Sequence, residues 1–385
     1  MNLLPNRRAV RLGIALNTRG KGYAPELEDQ YTSPETHRDI TRALTALGAE
    51  IIELEADSAL FETLKRLGGS LDLVFNLAEG LPHCRSRQVT VPMALDHLGL
   101  EWTGALVEGH LVAANKALTR RVLGDRVAQP RWWLLDRGEQ PPDNISFPVL
   151  VKPVQEGYSV GIDQASVATS THELEGALER LRRRVSGAVL VESFLGGIEY
   201  SIGLVGEVVM PAVSWDLDQL PGQPKVRGED LKRADMTIPH ARLVQDPDVA
   251  RSLATQCVTA HTELGLRDYS RSDFRAMAGS PAPYFLETNS MPGLQDFQSV
   301  LPWTAAQAGI AYEDVIGSVA ALALRRLGEE HRREIEITPF EDAYHRLRRH
   351  AESAETVRVG GREYRFLRPA ASPKSASREC VLETT

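Results

Sequence analysis

The chain has 385 residues, 42% hydrophobic and 25% charged, a balance typical of a soluble globular protein with two or three lobes. Its formal net charge of -8 gives no positive electrostatic field that would attract nucleic acid or an acidic membrane surface. We find no signal-peptide core, no membrane span and no disulfide or zinc pattern among Cys84, Cys257 and Cys380. We therefore predict a cytoplasmic protein that binds neither nucleic acid nor membrane.

The first part of the chain alternates strand-like and helical segments. Short apolar runs predict strands at residues 10–16, 50–54 and 72–77. The periodicity of residues 36–47 predicts a helix that ends at Gly48. This alternation favours a parallel sheet covered by helices, so we predict an N-terminal α/β domain at residues 1–108.

The rest of the chain divides into two further lobes and an extension. For the central lobe, 109–199, we predict helices at 115–123 and 171–184, the latter capped by Thr171, and strands at 132–135, 148–154 and 188–192. For the C-terminal lobe, 200–330, we predict strands at 201–205, 207–213, 268–276 and 283–289 and helices at 247–264 and 311–327. The extension, 331–385, carries a predicted hairpin at 357–366 that turns at Gly360-Gly361, followed by a flexible polar tail.

A lysine stands inside an apolar strand in residues 149–162 (VLVKPVQEGYSVGI). A buried lysine is costly unless its charge meets a partner, and a nucleotide phosphate is such a partner. The loop that follows Lys152 contains Ser159 and Gly161, and glycines let main-chain amides approach phosphate oxygens. Taken alone, the segment fits an edge-strand lysine beside a surface turn equally well.

Two later strands carry hard oxygen ligands. In FLETNSMPGL, which begins at residue 285, Glu287 and Asn289 point to one strand face. In DYSRSDFR, which begins at residue 268, Arg271 and Asp273 share a face in the same way. If the strands are neighbours, the acids and the amide can hold Mg²⁺ beside a cation. A surface salt-bridge ladder is the alternative, which we disfavour because Asp and Asn are poor strand formers.

The segment LVESFLGGIEYSIGLV, residues 190–205, predicts a crossing between two lobes. Main-chain groups at such a hinge can bind an adenine edge, with Phe194 and Leu195 packed on its ring. Glu199 can accept hydrogen bonds from ribose hydroxyls. The alternative is a plain hairpin with two exposed acids, Glu192 and Glu199.

In this order, these segments resemble the ATP-grasp superfamily, and specifically its D-alanine–D-alanine ligase-like branch. The resemblance runs from about residue 11 to 328 and includes the pieces SPETHRDI (33–40), VFNLAEG (74–80), RSRQVTVPMALDHLGLEWTG (85–104) and NKALTRRVL (115–123). It implies the α/β ATP-grasp fold in three lobes, with the nucleotide between the central and C-terminal α+β lobes.

The resemblance also implies roles for matched residues. The implied ATP-binding residues are Lys116, Lys152, Glu192, Ser193, Phe194, Leu195 and Glu199. The implied ligands of Mg²⁺, or of Mn²⁺ in its place, are Asp273, Glu287 and Asn289. The implied catalytic residues are Arg271, Lys152 and Ser159. The polar loop 221–234, with Lys225, Arg227 and Lys232, takes the place of a loop that closes on the γ-phosphate.

The substrate half departs from the family pattern. Tyr158 replaces a serine that helps to orient the amino acids, and Glu79 stands where the family has histidine before glycine. The usual tyrosine of the closing loop is missing, HCRSRQ (83–88) replaces a GEDG-like stretch, and the chain is one residue longer after Pro292-Gly293. The substrate-binding residues that we predict are Glu79, Tyr158, Gly293 and Ser299. Glu79 can meet a substrate amine, with an exposed turn carboxylate as the alternative.

We predict an ATP-dependent ligase that forms an amide through an acyl phosphate and releases ADP and phosphate. Its partners are small-molecule amino acids or peptides, with a homodimer as the arrangement to test. Two alternatives stay open: a D-alanine–D-alanine ligase, and an ATP-binding regulatory module without turnover. Retention of the matched lysines, arginine and metal ligands argues against the second. The sequence leaves open the donor, the acceptor and their chirality.

Overall fold

The computed structural model describes residues 7–22, 28, 30–81, 84, 86–142, 144–155, 161–185, 187–215, 217, 226, 228 and 241–369. Within these residues the strands form three sheets, of three, four and eight strands. None of the described helices is long and apolar enough to cross a membrane.

The first sheet is parallel, as predicted, with β1 in the middle. Its strands are β1 (Arg11–Leu16), β2 (Glu50–Glu55) and β3 (Leu73–Asn76). Its helices are α1 (Pro34–Ala46), α2 (Leu60–Leu67) and α3 (Thr90–His97). The side chain of Ser33 caps α1 by accepting from the amide of Thr36, and Gly48 follows the helix with a positive φ of 87°.

The second sheet is antiparallel, in the order β4-β7-β5-β6. Its strands are β4 (Trp132–Leu135), β5 (Val149–Pro153), β6 (Val167–Ala168) and β7 (Val189–Ser193). The helices of this region are α4 (Val107–Ala113), α5 (Lys116–Leu123) and α6 (Thr171–Arg184). The cap of α6 is Ser170 rather than the predicted Thr171, because the extended Ser170 accepts from the amide of Glu173.

Alternation along β5 divides its side chains between two environments. Val149 and Val151 pack with the apolar face of α6, at Leu174 and Leu178. Residues at the intervening positions point to the opposite face. Lys152 is therefore directed away from the apolar core of this lobe.

The third sheet contains the remaining strands. They are β8 (Glu199–Val205), β9 (Val208–Val209), β10 (Val213–Trp215), β11 (Ala241–Leu243), β12 (Tyr269–Ala276), β13 (Pro283–Asn289), β14 (Glu355–Val359) and β15 (Arg362–Phe366). Its helices are α7 (Pro247–Glu263), α8 (Val300–Gln307) and α9 (Tyr312–Leu324). The single strand predicted at 207–213 is two short strands, because Pro211 has no N–H to continue a ladder.

The C-terminal extension is built into the third sheet. Two helices that the sequence analysis did not predict, α10 (Glu329–Glu334) and α11 (Thr338–His350), precede the predicted hairpin of β14 and β15. Strand β15 pairs in parallel with β9, and α11 packs on α9. The described part of the extension therefore completes the sheet, and the predicted tail, 370–385, lies outside the described residues.

Candidate active site

A cleft lies between the second and third sheets, with about 770 Å³ of space that is partly open to solvent. Its lining residues are Lys116, Leu150, Lys152, Ile162, Glu192, Ser193, Phe194, Leu195, Glu199, Val226, Asp273, Arg275, Leu286 and Glu287. All seven predicted ATP-binding residues are among them. The structure thus brings together residues that are distant in the sequence, while their individual roles stay predictions.

Strands β12 and β13 are antiparallel neighbours, as the metal-site prediction required. Arg271 pairs with Asn289 in the register, and Asp273 pairs with Glu287. The Asp273 carboxylate accepts hydrogen bonds from Arg271 (Nε 3.1 Å and Nη2 2.7 Å), from Asn289 Nδ2 (3.2 Å) and from Ser201 Oγ (2.6 Å). Two carboxylates, one amide and one guanidinium therefore occupy one face of the strand pair.

This donor set fits Mg²⁺ as an ion shared with a nucleotide. Among the described residues, no three His, Cys, Asp or Glu side chains form a metal-binding group of their own. Mg²⁺ is commonly held through one or two carboxylates together with substrate phosphates, so Asp273 and Glu287 are sufficient acids. The amide oxygen of Asn289 is a further hard donor.

The two predicted phosphate-binding lysines are buried and paired with carboxylates. Lys152 Nζ lies 2.7 Å from Glu192 Oε1, and Lys116 Nζ lies 3.2 Å from Glu287 Oε2. Burial lowers the pKa of Lys152, and the charge of Glu192 opposes this shift. The alternative of a lysine beside a surface turn is wrong because Lys152 is 4% exposed, although it is paired only on the β7 side, since β6 pairs with Val149 and Leu150 alone.

Arg120 joins this charged group, and the sequence analysis missed it. It lies one helical turn after Lys116 on α5, and its side chain is fully buried. Its Nη2 donates to the Glu192 carboxylate and to the main-chain oxygen of Leu286 (3.3 Å). Its Nε and Nη1 have no hydrogen-bond partner among the described residues. The i, i+4 spacing from Lys116 was the available signal.

The predicted hinge crosses from one sheet to another. Glu192 is the penultimate residue of β7 in the second sheet, and Glu199 begins β8 in the third. The alternative of a hairpin with two exposed acids is wrong, because these strands belong to different sheets and Glu192 is 1% exposed. The Glu192 carboxylate is engaged by Lys152 and Arg120.

Several hinge amides are already used within the protein. Ser193 N donates to Arg131 O (2.8 Å), and Phe194 N donates to Pro148 O (2.9 Å). An adenine edge would therefore have to meet other main-chain groups of this segment, those of Leu195 included.

The described substrate residues, Glu79, Gly293 and Ser299, lie outside this cleft lining. Glu79 follows β3, is 8% exposed and accepts a hydrogen bond from Gln88 Nε2 (2.9 Å), so the alternative of an exposed turn carboxylate is wrong. Gly293 and Ser299 are neighbours, since a Cβ on Gly293 would lie 2.8 Å from Ser299 Oγ. Ser299 Oγ accepts from the amide of Gln295 (3.0 Å).

Other predicted residues fall outside the described part of the chain. They are Tyr158, Ser159, Lys225, Arg227 and Lys232. Two residues of the predicted closing loop are described. Val226 and Ile162 both line the cleft, and a Cβ on Gly228 would lie 2.7 Å from Ile162 O. At Gly228, the loop therefore lies against the segment that follows the glycine-rich loop.

Comparison with known proteins places the chain in a family. A family model described as D-ala D-ala ligase C-terminus matches residues 127–320. An uncharacterized protein, y4sG of Sinorhizobium fredii, is 30% identical over 344 residues, which are 82% of this chain and 98% of that protein. A D-alanine–D-alanine ligase of Geobacter sulfurreducens is 30% identical over 282 residues, 72% of this chain and 84% of the relative.

Solved structures show the same fold. The crystal structure of D-alanine–D-alanine ligase from Bacillus anthracis complexed with ATP superposes with a TM-score of 0.65 at 19% identity, over 82% of this chain and 98% of that one. The fold and cleft define an ATP-grasp ligase, a class that forms carbon–nitrogen bonds. Within that class, the chain belongs to the D-alanine–D-alanine ligase family.

Proposed function

We propose that this protein phosphorylates the carboxylate of an amino acid or peptide with ATP and joins it to an amine, with substrates other than two D-alanines. One observation carries the proposal: acids and cations from five sequence segments surround one cleft between two sheets, and the amide of Asn289 lies beside Asp273.

The buried charges of the cleft suit a triphosphate. In the ion-paired group, Lys116, Arg120 and Lys152 carry three formal positive charges, and Glu192 and Glu287 carry two negative ones. Arg275, Glu199 and Asp273 also line the cleft, so the formal charges of the lining together with Arg120 balance, and Mg²⁺ would supply the positive excess that a triphosphate needs. Buried charge is costly without a partner, and phosphate oxygens supply that partner. On this proposal Lys116 and Lys152 contact the phosphates, the hinge contacts the base, and Glu199 accepts from the ribose.

The β12–β13 face would carry out phosphoryl transfer. Asp273, Glu287 and Asn289 would hold Mg²⁺, which would neutralise charge on the transferring phosphoryl group. Arg271, on the same strand face as Asp273, would stabilise the anionic acyl phosphate and the tetrahedral intermediate. The amine then attacks the acyl carbon, and inorganic phosphate leaves. The 221–234 loop, described at Val226 and Gly228 beside Ile162, would exclude water from the acyl phosphate.

The substrate residues support a product other than D-alanyl-D-alanine. Glu79 stands in the position of a family histidine and is a buried carboxylate, which suits an ammonium group on the substrate. Tyr158 would narrow or redirect the amino-acid pocket in place of a serine. Gly293 and Ser299, held close together, would bind the carboxylate of the acceptor.

The test is phosphate release from MgATP with pooled L- and D-amino acids and dipeptides, followed by mass spectrometry of the coupled product. We expect phosphate release with a pool that yields a product other than D-alanyl-D-alanine. Release with D-alanine alone would instead support D-alanine–D-alanine ligase activity, the second candidate, which similarity to the Geobacter ligase favours. Nucleotide binding without release from any pool would contradict both and support a regulatory module.

A further inference from the structure

Strand β12 directs three charged side chains to one face. Arg271, Asp273 and Arg275 occupy alternate positions, and each lies opposite a residue of β8, with Arg275 opposite Glu199. Asp273 and Arg275 both line the cleft. The first two residues have implied roles in phosphoryl transfer, whereas Arg275 has none.

The side chain of Arg275 contacts the hinge, residues 193–199, at three points. Its Nε donates to the main-chain oxygen of Gly197 (3.2 Å). Its guanidinium lies over the ring of Phe194, 4.9 Å from the centroid. Its Nη1 lies 3.8 Å from Glu199 Oε2.

These contacts hold Arg275 in one orientation. Its side chain is 6% exposed and that of Glu199 is 12% exposed, so water screens the pair only weakly. Burial lowers the pKa of Arg275, and the charge of Glu199 opposes that shift. A planar guanidinium that is stacked on a ring and bonded to a main-chain oxygen has little freedom to rotate. The carboxylate beside it is thereby oriented as well.

We propose that Arg275 is a positioning residue that orients Glu199 toward the nucleotide ribose and so sets the preference for ribonucleotides over deoxyribonucleotides. A carboxylate accepts through two oxygens, so the guanidinium and a ribose hydroxyl can share it. The inference rests on the proposed function, because it takes Glu199 as the ribose acceptor. It adds that ribose recognition depends on a residue of β12, the strand that carries the proposed metal ligand Asp273.

The test is equilibrium binding of ATP, 2′-deoxyATP and 3′-deoxyATP, each with Mg²⁺, to the full chain. For the wild-type protein we expect one deoxynucleotide to bind about 10-fold to 100-fold more weakly than ATP, as for a lost hydrogen bond to a charged group. In Arg275→Met that ratio should fall to within about threefold of unity. Arg275→Lys should give an intermediate ratio, because it keeps the charge and loses the planar fork.

Two controls separate orientation from general damage. Arg126→Met removes an arginine that is 53% exposed and paired with Glu263 on the surface, and it should leave the ratio unchanged. On a Glu199→Gln background, Arg275→Met should not lower the ratio further, because Arg275 acts through Glu199. The melting temperature of each variant reports whether it folds, and Arg275→Lys serves as the test if Arg275→Met does not.

The outcomes distinguish this inference from the proposed function. An unchanged ratio in a folded Arg275 variant would overturn the inference, as would an equal fall in Arg126→Met. ATP binding without ribose discrimination by the wild-type protein would also overturn it, while leaving the ligase proposal standing. No binding of ATP at all would overturn both.

Discussion

The two ends of the proposed catalytic region differ in the elements that carry their polar groups. At the nucleotide end, made of Lys116, Arg120, Lys152, Glu192 and Glu287, each carboxylate contacts a cation from another element. At the substrate end, made of Glu79, Gly293 and Ser299, the groups follow strands and lie in loops. There Glu79 accepts a hydrogen bond from Gln88 Nε2, and Ser299 Oγ accepts one from the amide of Gln295.

This difference has a functional consequence. Ion pairs between strands and a helix hold the side chains of the nucleotide end in place without a ligand. These residues can therefore stay the same while residues of the substrate end are substituted. Loops tolerate substitution and insertion better than the elements that they connect. One fold can therefore keep the phosphoryl chemistry and take different amino acids or peptides.

Arg120→Met should have the largest effect, and it acts on the nucleotide end. It leaves Glu192 buried with one cation instead of two, and breaking a buried pair costs about 3–5 kcal/mol of unfolding free energy. Chemical denaturation measures the loss. Arg121→Met, on the exposed side of the same helix, is the matched control and should be nearly neutral. Equal stability of the two variants would show that the ion pairs do not hold this end together.

Lys152→Met should lower both activity and stability. It leaves Glu192 with Arg120 as its one cation, so the loss of unfolding free energy should be comparable to that of Arg120→Met, while kcat/KM for ATP of the folded protein should fall about 10²-fold to 10³-fold through lost transition-state stabilisation. Phosphate release under steady-state conditions measures this. Lys65→Met, at a lysine that is 57% exposed, should keep wild-type activity. Full activity of Lys152→Met would remove this lysine from the phosphate site.

Glu79→Gln should affect only the substrate end. Loss of the carboxylate charge should raise the KM of the amine-bearing substrate about tenfold, equivalent to about 1.4 kcal/mol, and leave the KM of ATP unchanged. Titration of each substrate at saturating concentration of the other separates the two values. Glu53→Gln, at a 72% exposed glutamate, is the control. An increase in the KM of ATP alone would place Glu79 with the nucleotide.

Ser299→Ala should have the smallest effect. It removes the hydroxyl that accepts from the amide of Gln295, a hydrogen bond worth about 1 kcal/mol, and should raise the KM of the acceptor about fivefold. Initial rates with varied acceptor measure this change. If the KM of the donor rises instead, the two substrate positions are the reverse of our assignment.

The shared face of β12 and β13 could be predicted from sequence, because strand alternation decides which residues point to the same side. That rule placed Arg271 with Asp273 and Glu287 with Asn289, and the strand pairing confirms the arrangement. It could equally have identified Arg275, two positions beyond Asp273. Arg120 follows Lys116 by one helical turn and was missed because basic residues on helices are usually solvated.

Other features depend on partners that are distant in the sequence. The amides of Ser193 and Phe194 donate to Arg131 and Pro148, and no local pattern in the hinge shows that. Helix α11 has an apolar stripe at Phe340, Ala343, Tyr344 and Leu347 with helical spacing, but the charged residues between and after these positions obscured it. The substrate end is the least predictable part, because tertiary contacts rather than local sequence decide where the residues of a loop lie.

The most direct test of the account follows an oxygen isotope. With the substrate pair that the pooled assay identifies, the donor carboxylate is labelled with ¹⁸O and the phosphate product is analysed by mass spectrometry. If the cleft transfers the γ-phosphoryl group to that carboxylate, one ¹⁸O atom per turnover appears in inorganic phosphate and the nucleotide product is ADP. Unlabelled phosphate, or release of AMP and pyrophosphate, would contradict the acyl-phosphate ligase that we derive from this cleft.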